Sequence, residues 1–206
     1  LRYRRNGIGK PGNSGIIPAG LPGFDSLGTI GYRFDMSKAY SLVEEYQLQG
    51  SEITLYTTKE YIDIAKFVQS SVSEVGIVCR VEEMMPAALR EKRAKCSLPF
   101  FRSSWIADYP DAENYLSLFT SENFAPDGPN YTHYSNDTYD ALYKKAMGSN
   151  DVEERVALYH QMDSIMMSDA PVVVLYYDEV LRFVNKRVSG FNGNAINMLN
   201  LKTVEI

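Results

Sequence analysis

The chain has 206 residues, of which 45% are hydrophobic and 23% are charged, a composition typical of a soluble globular protein of one domain or slightly more. The net charge of −5 and the lack of a long basic run argue against nucleic-acid binding through phosphate neutralisation. The apolar run APVVVLYY near the C-terminus is far shorter than the roughly 20 residues that a membrane-spanning helix needs.

The first part of the chain, residues 1–34, is rich in Gly and Pro and predicts an extended loop rather than a folding unit. Four apolar side chains can pin this loop against a surface: Ile16, Ile17, Leu21 and Phe24. The segment DMSKAYSLVEEYQLQG follows and predicts a helix that Asp35 or Ser37 caps and that Gly50 ends.

Residues 51–105 alternate between strand and helix patterns. SEITLYTT predicts a strand, Thr58 is placed to cap a helix over 59–75, and IVCRVEEM predicts a second strand. Pro86 opens another helix, PAALREKRAK, and CSLPFFRSSW predicts a third strand. Since each helix is long enough for a crossover connection, the three strands are expected to be parallel, as in an α/β fold with a βαβαβ core.

The pattern after Asp108 is mainly helical. DAENYLSLFTS predicts a short helix, and DTYDALYKKAMG predicts a helix capped by Asp137 or Thr138. DVEERVALYHQMDSIMMSDA predicts an amphipathic helix capped by Asp151, with its apolar members facing a core. VVVLYY and the tail NMLNLKTVEI predict short strands, and EVLRFVNKRVSGF is a weaker strand candidate.

The sequence contains none of the common catalytic motifs HExxH, GxSxG or GxGxxG. His133 and His160 are 27 residues apart and do not form a zinc-site pattern. Cys79 and Cys96 form either one disulfide or, the favoured alternative, two buried free thiols. We therefore predict no catalytic residue, no metal and no cofactor, and expect that the protein is not an enzyme.

Five segments in order resemble one family. RSSWIADYPDAENYLSLF is similar to the W-x-x-D-Y-x-D/E-P-x-x-F-L segment of the oligopeptide/dipeptide-type solute-binding proteins of ABC importers, family 5. GIGKPGNSGIIPAGLPGF, YRFDMSKAYSLVEEYQLQG, NYTHYSNDTYDALYKKA and ERVALYHQMDSIMMSDAPVVVLYY resemble other segments of the same family. The chain departs from the family pattern at Met36 and Ala112, where Pro is usual, and KEYIDIAK lacks the Arg of dipeptide-specific members.

The resemblance implies the C-terminal lobe of a two-lobed periplasmic-binding-protein-like fold, with a βαβαβ parallel core and additional C-terminal helices. It implies three parts: residues 1–18 connect from the first lobe, 19–178 form the second lobe, and 179–206 return to the first lobe. It further implies an extracytoplasmic or periplasmic protein that binds peptides and delivers them to ABC transporter permease subunits. Such a protein is membrane-associated through the transporter or, as a lipoprotein, through a lipid anchor outside these residues.

The resemblance also implies a binding site. Asp108 matches the acid that holds a peptide's α-amino group, and the less favoured alternative is that it caps the following helix. Arg102 lies where some family members place an Arg that meets the peptide carboxylate. An extended strand would put about 20 Å between these two residues at about 3.3 Å per residue, so Arg102 serves longer ligands, the chain turns, or the Arg forms a salt bridge.

Between these two charges lie four further candidates. Trp105 is either the floor of a side-chain pocket or a core residue. The backbone of Ser103, Ser104, Trp105 and Ile106 is expected to pair with an extended ligand as an added strand, a mode that is indifferent to side chains.

Two alternatives remain open at the level of sequence. The same scaffold can bind a non-peptide solute such as a sugar, an opine, haem or a metal chelate, although the presence of Asp108 favours peptides. The second alternative is a hydrolase that uses Asp108 and Asp111 as paired carboxylates, against which DYPD is typical of a turn.

Overall fold

The computed structural model describes residues 8–194 and 198–206. These residues form two compact units. The sheet unit comprises Arg33–Ser104 and Glu122–His133, and the helical unit comprises the described residues up to Tyr32, Trp105–Ser121 and those from Tyr134 onward. The predicted boundaries at 18 and 178 remain predictions, and part of the first predicted segment, residues 1–7, lies outside the described residues.

The sheet unit is built on two parallel strands, β2 (Glu52–Thr57) and β3 (Val78–Glu83), paired in register from Glu52 with Val78 to Thr57 with Glu83. Helix α2 (Ile62–Glu74) connects them and covers one face. The core of this unit consists of Leu55, Ala65 and Cys79, with Ile53, Val68, Val72, Val81 and Phe100 packed around them. This is the strand–helix–strand arrangement that the sequence predicts.

The third predicted strand is present in position and direction but not in length. Phe101 makes a single parallel bridge to Tyr56, on the opposite edge of β2 from β3. The hydrogen bonds are Tyr56 N–H to Phe100 O at 3.0 Å and Arg102 N–H to Tyr56 O at 2.9 Å. The prediction of a strand over 96–105 is corrected because Cys96 has a left-handed φ of 50° and Pro99 has no N–H to donate to a ladder.

Two helices of the sheet unit differ from their predicted bounds. Helix α1 (Met36–Glu45) begins at Asp35, whose carboxylate accepts from Lys38 N–H at 2.9 Å, as one of the two predicted caps. It ends well before Gly50 because Gln47 adopts a left-handed φ of 53°. Thr58 makes no side-chain cap bond, and a 3₁₀ turn over Lys59–Tyr61 precedes α2. Helix α3 (Pro86–Ala94) starts at the predicted proline.

The helical unit packs three helices around one core. They are α4 (Glu113–Leu116), α5 (Asp137–Gly148) and α6 (Val152–Asp169). Asp151 caps α6 as predicted, whereas α5 is capped by Asn136 rather than by Asp137 or Thr138. The largest fully buried side chains of this core include Ile17, Leu116, Tyr139, Tyr159, Met162, Met166 and Met167.

The Gly- and Pro-rich segment at the start of the chain is anchored on the helical unit. Ile17 and Leu21 are buried, and Ile16 and Phe24 pack against the same core, as predicted. The two-residue strand β1 (Lys10–Pro11) pairs antiparallel with β4 (Tyr176–Tyr177), and these are the strand residues in the described part of this unit.

The C-terminal strand predictions are therefore largely wrong. Only Tyr176 and Tyr177 of VVVLYY form a strand, and the tail contributes one bridge, Ser189 with Glu205. Residues 195–197, which include the start of the predicted tail strand, lie outside the described residues. Among the described residues, no helix combines the length and the hydropathy that crossing a bilayer requires.

Candidate functional site

The stretch from Arg102 to Asp108, in which the sequence concentrates its candidate binding residues, passes from one unit to the other. Arg102, Ser103 and Ser104 belong to the sheet unit, and Trp105, Ile106 and Asp108 belong to the helical unit.

Arg102 leaves the third extended segment with its backbone fixed to β2 and its guanidinium stacked on an aromatic ring. The guanidinium carbon lies 3.4 Å from the centre of the Tyr61 ring. Within the described residues, no carboxylate lies within 4.0 Å of this guanidinium, so the predicted alternative of a salt bridge is not found. The stacked Arg therefore keeps its planar edge of N–H donors for a ligand.

Arg102 lines a cavity of about 370 Å³ in the sheet unit. The lining comes from three chain segments, each of which follows the carboxyl end of an extended segment: Thr58 and Tyr61 after β2, Leu89 and Arg93 on α3, and Ser104 beside Arg102. Clefts at the carboxyl ends of parallel strands are where α/β folds bind their ligands.

The structure adds Arg93, which the sequence analysis did not single out. Its Nη1 donates to Ser103 Oγ at 2.8 Å, and its guanidinium lies 4.5 Å from the centre of the Tyr131 ring. Its Nε is buried without a hydrogen-bond partner. The sequence signal was the basic helix REKRAK, a pattern usually found on solvated helix faces, so residue type alone did not distinguish Arg93 from its neighbours.

Glu60 is the carboxylate at the rim of this cavity. The pKa of Glu60 is lowered, first by the hydrogen bond from the Thr58 hydroxyl and also by the positive charges of Lys59 and Arg102. The group is fully exposed, so solvent weakens these interactions. Glu60 is therefore ionised at neutral pH and offsets one of the positive charges around the cavity.

The backbone between Arg102 and Ala107 is free of internal pairing. In the part of the chain that the structure describes, the N–H and C=O groups of residues 103–106 make no backbone hydrogen bond. Ser103, Ser104 and Ile106 are exposed. Unpaired, solvent-accessible backbone of this kind can accept an added strand.

In the helical unit, one buried amide brings Trp105 and Asp108 together. Asn114 Oδ1 accepts from Trp105 Nε1 at 2.7 Å and from the backbone N–H of Asp108 at 3.2 Å, and Asn114 is only 6% exposed. Trp105 is half-buried, between the two predicted alternatives of pocket floor and core. Asn114 thus fixes both the indole and the backbone that carries Asp108.

The carboxylate of Asp108 is exposed and accepts no hydrogen bond from the described residues. It does not cap α4, because the residue at that cap is Ala112 and makes no side-chain bond. The alternative interpretation of Asp108 as a helix cap is therefore wrong.

Asp111, the other member of the proposed carboxylate pair, is engaged elsewhere. It forms an ion pair with Arg155, accepts from Tyr159 Oη at 2.9 Å, and accepts from Glu113 N–H at 3.0 Å. Burial, together with the hydrogen bond to Asp111, raises the pKa of Tyr159 to about 12, although Arg155 acts in the opposite direction. The Asp111 carboxylate therefore anchors α6 to the turn before α4, which leaves it poorly placed to act as an acid or base.

The two cysteines are free. Cys79 is buried, and burial raises the pKa of its thiol. Cys96 is exposed, which corrects the prediction of two buried thiols, and its Sγ lies 2.9 Å from Nε2 of His133. No group of three or more metal-binding side chains occurs among residues 8–194 and 198–206.

Several curated proteins are similar to most of the chain. The probable D,D-dipeptide-binding periplasmic protein DdpA of Escherichia coli is 27% identical over 92% of this chain, which spans 38% of its length. The glutathione-binding protein GsiB of Salmonella choleraesuis is 27% identical over 86% of this chain and 36% of its own length. The chain thus spans little more than a third of these relatives.

The comparison with solved structures agrees with these sequence similarities. The periplasmic binding protein DppA of Helicobacter pylori, solved with the peptide STSA, superimposes with a TM-score of 0.82 at 24% identity, over 98% of this chain and 40% of that one. This similarity confirms the predicted lobe of a periplasmic binding protein. Residues 3–127 match the family model described as the middle part of the bacterial extracellular solute-binding proteins, family 5. The chain belongs to that family of bacterial extracellular solute-binding proteins.

Proposed function

We propose that this chain is the second lobe of the substrate-binding component of an ABC importer and that it binds di- or oligopeptides in a cleft between two lobes, without catalysis. The observation that carries the proposal is the order of groups along one short stretch. A guanidinium without a carboxylate partner, at Arg102, is followed by unpaired backbone and then by an unpartnered carboxylate, at Asp108. This order matches the charges and backbone of an extended zwitterionic peptide.

Each group has a distinct role in the proposal. Asp108 receives the peptide's α-ammonium group, because a carboxylate in a closed, water-poor cleft attracts an ammonium more strongly than one in bulk water. Arg102 receives a carboxylate through its planar edge. The backbone of residues 103–106 pairs with the peptide backbone, and Trp105 packs against a ligand side chain.

Residues 1–18 and 179–206 are the connections to a first lobe, and closure of the two lobes traps the ligand. The protein acts outside the cytoplasm and docks on the permease subunits of its transporter. The membrane association is through that transporter or through a lipid anchor outside these residues.

The test is calorimetric titration of the whole two-lobed protein with a random tripeptide library, comparing the native protein with Asp108→Ala and Asp108→Asn. We expect both variants to lose about thirtyfold or more in affinity, since removing one member of a buried charge pair costs about 2 kcal/mol or more. Asp127→Ala removes an exposed carboxylate from the loop of the sheet unit and serves as the control, with unchanged affinity.

Titration with N-acetylated peptides tests whether Asp108 acts through the ligand's ammonium group. They lack the ammonium group, so they should bind the native protein weakly, and Asp108→Ala should weaken them no further. Equal affinity of the native protein and Asp108→Ala for free peptides would remove Asp108 from the site. Binding of a sugar, opine, haem or metal chelate in place of every peptide would replace the proposal by its alternative.

A further inference from the structure

The cavity beside Arg102 carries more positive charge than one peptide terminus neutralises. Three arginines line it, Arg90, Arg93 and Arg102, against the single carboxylate of Glu60. In the described part of the chain, none of the three guanidinium groups has a carboxylate within 4.0 Å. A C-terminal carboxylate at Arg102 would leave a net positive charge on the side of the cavity formed by α3.

Arg93 is held in a fixed position. Its guanidinium is stacked near Tyr131 and donates to Ser103 Oγ, so its plane is set before a ligand arrives. Its Nε is removed from water yet unbonded within the protein. A buried charged donor without a partner is rare in folded proteins.

Arg90 adds a second, more exposed charge. It lies one turn before Arg93 on α3, lines the same cavity and is exposed. Two arginines three residues apart on a helix project from neighbouring positions, a spacing at which like charges repel each other in the absence of an anion. An incoming carboxylate relieves that repulsion and accepts paired hydrogen bonds from a planar guanidinium.

We infer that Arg90 and Arg93 form a second anion subsite, separate from Arg102, that takes the side-chain carboxylate of an acidic residue in the ligand. The inference rests on the proposed function and narrows its substrate class to acidic peptides. Among the described residues that line the cavity, Glu60 is the one with a carboxylate side chain.

The experiment measures the affinity of the whole two-lobed protein for pairs of tripeptides that differ only in Glu against Gln, at the second or third position, each with a free or an amidated C-terminus. Glu and Gln are nearly isosteric, so the ratio of their dissociation constants reports the side-chain charge alone. We expect the Glu peptide to bind about ten- to a hundredfold more tightly at one of the two positions. Amidation should weaken both members equally, because Arg102 and not this subsite holds the terminus.

Variants assign the preference to the subsite. Arg93→Gln should bring the Glu/Gln ratio close to one, and Arg93→Lys, which keeps the charge but loses the planar fork, should restore part of it. Arg80→Gln is the matched control, because Arg80 is an exposed arginine of the same unit paired with Glu52 at 2.7 Å and should leave the ratio unchanged. Should Arg93→Gln unfold, Arg90→Gln provides the same comparison at an exposed position.

The outcomes separate this inference from the function on which it rests. Peptides that bind with a Glu/Gln ratio of one, or a ratio that persists in Arg93→Gln and Arg90→Gln, overturn the acidic subsite and leave peptide binding intact. If amidation of the C-terminus alone brings the Glu/Gln ratio to one, Arg90 and Arg93 bind the C-terminal carboxylate. That result also overturns the acidic subsite. Absence of binding by all the peptides removes the proposed function and the inference together.

Discussion

At the scale of single residues, the most unusual group outside the candidate site is Asp163 of α6. Its side chain is fully buried, and one oxygen accepts from the backbone N–H of Ile16 at 2.9 Å and from that of Ile17. The other oxygen is buried without a partner. A Cβ at Gly15 would lie 2.1 Å from it, so Gly15, with a φ of +89°, is required for this contact. Asp163 therefore links the initial segment to α6 through these backbone hydrogen bonds.

Asp163 predicts a specific pH dependence of stability. Burial raises its pKa to about 6 from an ordinary value of 3.8, so the folded chain binds this proton more readily than the unfolded chain. The resulting stability is fully present below about pH 4 and is lost as the pH rises through about 6. Relative to Asp163→Asn, the native chain should lose about 2–3 kcal/mol of unfolding free energy between pH 4 and pH 8.

Urea unfolding of both chains across that range measures the difference. Asp127→Asn is the control, because it removes an exposed carboxylate. Its free energy of unfolding should change with pH in the same way as that of the native chain. If the free energy of unfolding of Asp163→Asn changed with pH in the same way as that of the native chain, Asp163 would not titrate as its burial indicates.

At the scale of elements, three of the described helices begin at a side chain that accepts hydrogen bonds from the first turn. Asp35 caps α1, Asn136 caps α5 and Asp151 caps α6, each accepting hydrogen bonds from N–H groups of the first turn. Asp151 Oδ1 accepts from Glu153 N–H at 2.8 Å and from Glu154 N–H at 3.2 Å. A helix cap is therefore the contribution of a single side chain that a substitution can isolate.

The cap of α6 gives the second prediction. Asp151→Ala leaves two N–H groups without their acceptor and should lower the free energy of unfolding by about 1 kcal/mol, or the melting temperature by about 2–4 °C. Asp151→Asn keeps a side-chain acceptor at the same position, so its melting temperature should be close to that of the native chain. Thermal unfolding followed by circular dichroism compares the three proteins; equal losses in both variants would assign the effect to charge rather than to capping.

At the scale of the whole molecule, the chain spans 38% of the length of DdpA and 36% of the length of GsiB. Several large apolar side chains of the segment 179–206 are exposed, among them Leu181, Phe183 and Ile206. Exposed apolar side chains concentrated in one segment are typical of a surface that packs against another element. We propose that this element is the first lobe.

The third prediction follows from that proposal. The 206-residue chain alone should bind peptides at least about a hundredfold more weakly than the whole two-lobed protein. A single lobe leaves the ligand's charges exposed to water, where each ion pair between ligand and protein contributes little to the binding free energy. Calorimetry of both proteins with the same peptide, after circular dichroism has confirmed folding of the shorter one, measures the ratio. Affinities within about tenfold of each other would show that this lobe holds a complete site.

The sequence alone determined the family, the α/β fold and the helix cap at Asp151, and it gave Asp35 as one of two candidates for the cap of α1, because these depend on residue type at fixed local spacing. It also identified the segment from Arg102 to Asp108, whose role in binding remains a proposal.

Only the tertiary structure decided which groups meet across long stretches of chain. It reduced the third strand to one bridge at Phe101, brought Arg93 beside Arg102 in one cavity, and engaged Asp111 with Arg155 while leaving Asp108 without a partner. The physical reason is that pairing, burial and the desolvation of a charge depend on neighbours distant in sequence, which local patterns do not encode.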